Sequence, residues 1–197
     1  MKNNLLYLIF IIPSFVYAQL DIKLSTNALL SKKPEIGLEM GYSKFSIELD
    51  NGFIFQKWGE ATVTDNQGNE TELGVKRFGY NGTLRCNYYF KPKETLDGWF
   101  ASPMVKYRTQ KVKFENPIKN QRIGAGLVLG RKGMLTDSFG YLVEGGFGYW
   151  VFNKYKDQNG LDSPIYRDVP LLGDLLEKMD KFMVPWNVTV YYRIGGN

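Results

Sequence analysis

Eight stretches of this chain alternate with a period of two, and one parity carries no charged residue in any of them. They cover residues 22–30, 36–42, 45–50, 78–90, 99–108, 122–130, 139–151 and 186–194. Successive side chains of a strand point to opposite faces, so this pattern predicts strands with one apolar and one polar face. The fourth stretch is the clearest: Phe78, Tyr80, Leu84, Cys86, Tyr88 and Phe90 alternate with Gly79, Asn81, Thr83, Arg85 and Asn87. Across all eight, the polar parity holds Lys23, Glu39, Glu48, Asp50, Arg85, Lys106, Arg108, Arg122, Glu144 and Arg193. Eight antiparallel strands of about 9–11 residues suit the smallest transmembrane barrels.

Alternation alone does not say which face is outside, because a soluble lipocalin-like barrel inverts the arrangement. Three features favour an apolar exterior. The polar parity carries glycines 37, 41, 79, 124, 126, 130, 140, 146 and 148, against only Gly82 and Gly145 on the other. Glycine weakens a solvent-facing strand, but in a narrow lumen it leaves room for long Arg and Glu side chains. Aromatic residues of the apolar parity gather near segment ends (Tyr42, Phe45, Phe78, Trp99, Phe139, Tyr149, Trp186 and Tyr192 among them), as in the girdles of membrane barrels. The last segment also runs almost to Asn197. The expected fold is therefore all-β: an eight-stranded antiparallel up-and-down transmembrane β-barrel. Its lumen would hold a structural ion-pair network of Glu39, Glu48, Asp50, Arg85, Lys106, Arg108, Arg122, Glu144 and Arg193, since buried charges must be paired or hydrated. Such packing leaves little continuous water path.

Residues 1–18, MKNNLLYLIFIIPSFVYA, have the three parts of a secretory leader. Lys2 opens it, an apolar run from Leu5 to Ile12 follows, and Val16 and Ala18 precede a cleavage site. The barrel domain would then be residues 19–197. Lys and Arg number 25 against 20 acidic residues, a net charge of +5, or +4 without Lys2. A mild excess spread along the chain gives no nucleic-acid footprint. One Cys excludes an intrachain disulfide, and the lack of His removes the commonest general base and metal ligand. No later stretch reaches the roughly 18 apolar residues of a transmembrane helix.

The connections are unequal. Those at 43–44, 91–97 and 132–137 are short, those at 57–76 and 153–182 long, with 31–34 and 112–121 between the remaining strands. An N-terminus on the periplasmic side makes the short ones periplasmic turns and the long ones outer loops. In the last loop, Pro170 suits a first helical position. Leu171, Leu172, Leu175, Leu176, Met179 and Phe182 then follow helical spacing, with Asp174, Glu177, Lys178 and Lys181 elsewhere. Residues 170–181 are expected to form a short amphipathic helix. It would pack on the rim, lie at the membrane interface or dock an envelope partner.

With these features the chain resembles the small eight-stranded outer-membrane barrels of Gram-negative bacteria, the OmpA/OmpX-like superfamily. The resemblance spans residues 20–195 and rests on leader, strand count, face chemistry, loop asymmetry and a C-terminal strand with alternating aromatics. It departs at the end, which reads Tyr192-Arg193-Ile194-Gly195-Gly196-Asn197 without a terminal aromatic residue. The resemblance implies residence in the bacterial outer membrane and a role in envelope integrity, adhesion or complex formation. Small outer-membrane barrels with enzymatic activity rely on a catalytic His, so that chemistry is excluded here.

Other chemistry is weak. Glu39 and Glu48 could act as a carboxylate pair, but the Arg residues expected beside them favour ion pairing. The runs at 65–70 (DNQGNE) and 157–162 (DQNGLD) miss the calcium-loop spacing and read as polar turn tips. The sequon Asn69-Glu70-Thr71 is incidental in a bacterial surface loop. GAG at 124–126 and GGFG at 145–148 lie in strands and are not nucleotide loops. No cofactor is expected. Three roles remain open: a structural or surface-interaction barrel serving as an accessory subunit of an envelope complex, a small-solute channel, and a secreted ligand-binding barrel.

Overall fold

Antiparallel pairing passes from strand to strand along this chain and returns to its start. The computed structural model describes residues 19–64, 70–90, 92, 94–113, 117–162 and 173–195, with backbone alone at 58–64, 70–75, 113 and 174. The elements in order are β1 (Gln19–Ser25), α1 (Thr26–Leu30), β2 (Glu35–Tyr42), β3 (Phe45–Thr64), β4 (Glu70–Phe90), β5 (Gly98–Lys113), β6 (Ile118–Met134), β7 (Phe139–Lys156), α2 (Gly173–Asp180), β8 (Phe182–Met183) and β9 (Trp186–Ile194). Each long strand pairs with the next, β7 pairs with β9, and β9 pairs with β1 to close the ring. The two-residue β8 extends the line of β9 along β7, where Pro185 interrupts the ladder. The fold is an eight-stranded antiparallel up-and-down barrel.

The apolar parity is outside. Ile47 is 62% exposed, Phe147 69% and Trp186 62%, while the alternate positions Glu48, Glu144 and Asn87 are buried. This orientation is opposite to a lipocalin's. On β4 the outward face is apolar or small from Phe78 to Phe90. Those twelve steps, at about 3.3 Å each and a tilt of about 40°, carry the strand roughly 30 Å along the barrel axis. That matches the hydrocarbon thickness of a bilayer.

Several boundaries differ from the sequence pattern. The first strand stops at Ser25 rather than running to residue 30. Ser25 caps α1 by accepting from the Ala28 amide, and Thr26 and Asn27 then satisfy the Val188 carbonyl and amide of β9 beyond the end of β1. The expected loop at 57–76 is mostly sheet, since β3 and β4 stay paired out to Thr64 and Glu70 with one irregularity between Trp58 and Ala61. Strand pairing likewise extends to Lys113, Ile118 and Lys156 on the same side, and to Met134 on the other. Where both strand faces meet water, alternation carries no signal. The helix covers Gly173–Asp180 within the expected 170–181. Leu171, Leu172, the leader at 1–18 and most of the 65–70 run lie outside the described residues.

Candidate functional site

The chemistry of this protein is inside the barrel, and its two ends differ. At the end with the short turns, inward positions of β1, β2, β3, β4, β6, β7 and β9 converge on one another. Glu39 is the centre. Its carboxylate meets Lys23 at 2.7 Å and Lys132 at 2.5 Å, and accepts from Ser46 Oγ at 2.5 Å, Asn87 Nδ2 at 2.8 Å and Tyr89 Oη at 2.6 Å. Glu48, the register partner of Glu39, shares Lys23 at 2.7 Å and Asn87 at 2.9 Å. Arg85 then joins Glu144 at 2.6 Å, Asp50 at 3.2 Å and Glu48 at 3.7 Å. Asp21 accepts from Arg193 Nε at 2.9 Å and from Lys132. All nine charged groups are at most 7% exposed.

Apolar side chains share this lumen. Tyr89, Leu96, Phe100 and Leu142 form a buried cluster at the short-turn end, and Leu96 enters it from the β4–β5 turn. Leu96 has φ +60°, an uncommon backbone for a branched residue, and its carbonyl accepts from Arg193 Nη2 at 3.1 Å. Met104, Val128, Trp150 and Met183 form a second cluster. Inward glycines make room for these residues. Gly130 lies opposite Phe100 in register, Gly140 opposite Tyr191 and Gly124 opposite Trp150. A Cβ at Gly130 would come within 2.5 Å of the Phe100 ring, and one at Gly140 within 2.2 Å of Tyr191. These three glycines thus serve ring packing rather than the Arg and Glu side chains expected from the sequence. Gly37 is an exception, opening space for Asp50.

At the other end cations are in excess among the described inward residues. Lys106 forms no ion pair among the described residues, and Arg108 lies 5.5 Å over Trp150. Arg122 also faces Trp150, at 5.7 Å, and Tyr155, at 5.4 Å. Its carboxylate partner is Asp180, at 2.8 Å and 3.0 Å. Asp180 closes α2, and it also accepts from Asn153 at 2.8 Å and Tyr155 at 2.5 Å. The last loop is therefore tied into the mouth by one acidic residue. Burial pushes the Lys33 ammonium at this mouth below its ordinary range, and Arg108 and Arg77 push it further down. Glu35 opposes them and accepts from Asn81 at 2.6 Å.

Of the lumen residues expected from the sequence, Glu39, Glu48, Asp50, Arg85, Glu144 and Arg193 meet in the paired network. Arg122 joins the mouth, and Lys106 and Arg108 pair with no carboxylate among the described residues. Asp21 and Lys132 are members that sequence reasoning misses. Asp21 precedes the first counted apolar position, and Lys132 lies in a stretch that reads as a turn but belongs to β6. On α2, Leu175 and Met179 are exposed and Leu176 is partly covered, while Phe182 belongs to β8 and packs on Tyr149 at 5.8 Å. Their apolar faces do not pack as one seam on the rim. Asp157 accepts from the amides of Asn159 and Leu161, a polar turn tip. Among the described residues, no cluster of three acidic or Cys side chains is arranged to hold a metal ion.

These features define the class: an eight-stranded up-and-down barrel with an apolar outer wall and an ionic lumen. The chain belongs to the family described as "Protein of unknown function (DUF3575)", whose model matches residues 4–163. No curated protein matches the sequence. Among solved structures it is similar to a major outer membrane protein from Thermus thermophilus, at 12% identity and a TM-score of 0.48, covering 90% of this chain and 99% of that one. It is also similar to Neisserial surface protein A (NspA), at 8% identity and a TM-score of 0.44, covering 90% of this chain and 93% of that one.

Proposed function

We propose that this protein is an integral barrel of the bacterial outer membrane with a structural or surface-interaction role, serving as an accessory subunit of an envelope complex. One observation carries the reading: a continuous apolar wall surrounds a lumen whose short-turn half is occupied by buried ion pairs and rings. A soluble barrel would expose far more than the few hundred Å² of contiguous apolar surface that monomers tolerate. A solute channel would need an open lumen, which the Glu39 and Arg85 networks and the Leu96 cluster oppose. Recognition then falls to what projects beyond the wall, the β3–β4 hairpin and α2. Mooring by Asp180 supports α2 as an ordered docking element for an envelope protein, with Leu175 and Met179 exposed on it.

Two measurements test this. Cell fractionation should find the protein in the outer membrane, extractable only with detergent. Reconstituted protein in planar bilayers should give no discrete conductance steps. Recovery as a folded, detergent-free soluble protein would overturn the membrane role, and steady single-channel currents would overturn the non-channel role.

A further inference from the structure

Above the apolar wall, at the long-loop end, the outward positions change to lysine on one side of the barrel. Lys111, Lys119, Lys154 and Lys156 share the outward parity with Tyr107, Ile123 and Phe152. The register sets Lys111 opposite Lys119, and Lys119 opposite Lys156. Like charges directly opposite on neighbouring strands repel and destabilise a sheet unless an anion lies between them. No described outward position on β3 to β7 holds a carboxylate. Asp162 meets Lys156 only through backbone β-pairing at the tip of β7. The Lys154 ammonium lies 5.4 Å over the outward Phe152 ring, so its stem follows the wall and its charge stands at the upper edge. On β9, β1 and β2 the outward positions are apolar and hold no lysine.

We infer that this one-sided lysine strip docks lipids with phosphate-bearing headgroups in the outer leaflet, their acyl chains lying on the apolar wall below. The inference rests on the membrane reading above. A lipid fits better than free phosphate because the strip is continuous with a surface that contacts acyl chains, and several ammonium groups spaced along it match a layer of anionic headgroups.

The test uses the full-length mature protein in phosphatidylcholine bilayers with a trace of spin-labelled phosphatidic acid or spin-labelled phosphatidylcholine. A motionally restricted component from the phosphatidylcholine probe reports lipid contact with the wall; its absence overturns the membrane reading itself. Relative association of the two probes reports the strip. Wild type should prefer phosphatidic acid by at least about fivefold at low salt, the worth of one lysine engaged near an acidic surface. The preference should fall toward unity as salt rises. The variant K111Q/K119Q/K154Q/K156Q should lose it, the corresponding Lys→Arg variant should keep it, and K44Q, in a turn at the opposite end, should leave it unchanged. Far-UV circular dichroism verifies that each variant is folded. Equal association of both probes with wild type, or a preference surviving in the four-Gln variant, would overturn the inference. So would its loss on adding inorganic phosphate but not potassium chloride of equal ionic strength, which would make the strip a site for the free ion.

Discussion

The two halves of the lumen use the same residue types to different ends. Near the short turns, Asp21, Glu39, Glu48, Asp50 and Glu144 are matched with Lys23, Arg85, Lys132 and Arg193, and uncharged donors bond the oxygens further. Toward the long loops, Lys106 and Arg108 have no carboxylate of their own among the described residues, and Arg122 depends on a residue supplied by α2. The first half closes the barrel by itself. The second is closed by something that can be taken away. A buried charge whose partner is removed is costly, whereas a partly exposed one is rescued by water. Stability should therefore concentrate in the inner half and adjustability in the outer.

Substitutions that remove one group from each half sharpen this contrast. The largest effect is expected at Arg85→Met, which leaves Glu48, Asp50 and Glu144 short of a cation. Urea unfolding in detergent should show a loss of about 3–5 kcal/mol. Glu39→Leu should cost nearly as much, since it takes one acceptor each from Lys132, Lys23 and Asn87 and leaves the Ser46 and Tyr89 hydroxyls without theirs. Leu96→Ala, which opens a hole under Tyr89 and Phe100, should cost about 2–4 kcal/mol in the same assay. Asp180→Asn should change global stability by about 1 kcal/mol or less, yet speed protease cleavage around α2, because the Arg122 tie is only partly buried. Lys106→Met should be neutral within about 0.5 kcal/mol or slightly stabilising, because it deletes a cation without orphaning a carboxylate. If Lys106→Met proved as damaging as Arg85→Met, the distinction between the halves would fail.

The sequence makes some of this legible and hides the rest for physical reasons. A strand with one face in lipid and one inside must alternate, so parity alone separates Glu39, Glu48 and Arg85 from Ile47 and Leu84. Parity cannot tell which inward charges meet. That depends on register, and Lys132 reaches Asp21 across 111 positions of sequence. Inward rings are hidden because Tyr88, Tyr89 and Phe90 are three aromatics in a row, which blurs the period. The recoverable signal is the glycines: large inward residues sit opposite Gly124, Gly130 and Gly140 on the neighbouring strand. The long hairpin of β3 and β4 is invisible beyond Lys57, where neither face has to be apolar. The end of β1 escapes detection because Thr26, Ala28 and Leu30 keep the alternation while Ser25 caps a helical turn.

The central claim is that the apolar parity touches lipid and the ionic parity does not. Tryptophan tests it directly, because Trp99 and Trp186 point outward at 58% and 62% exposure while Trp150 points inward at 4%. Single-tryptophan variants, the others changed to Phe, would be reconstituted in vesicles whose acyl chains carry bromine, a short-range quencher. Fluorescence of Trp99 and Trp186 should be strongly quenched relative to unbrominated lipid, and that of Trp150 should be unchanged. Quenching of Trp150 with Trp99 and Trp186 spared would contradict the account.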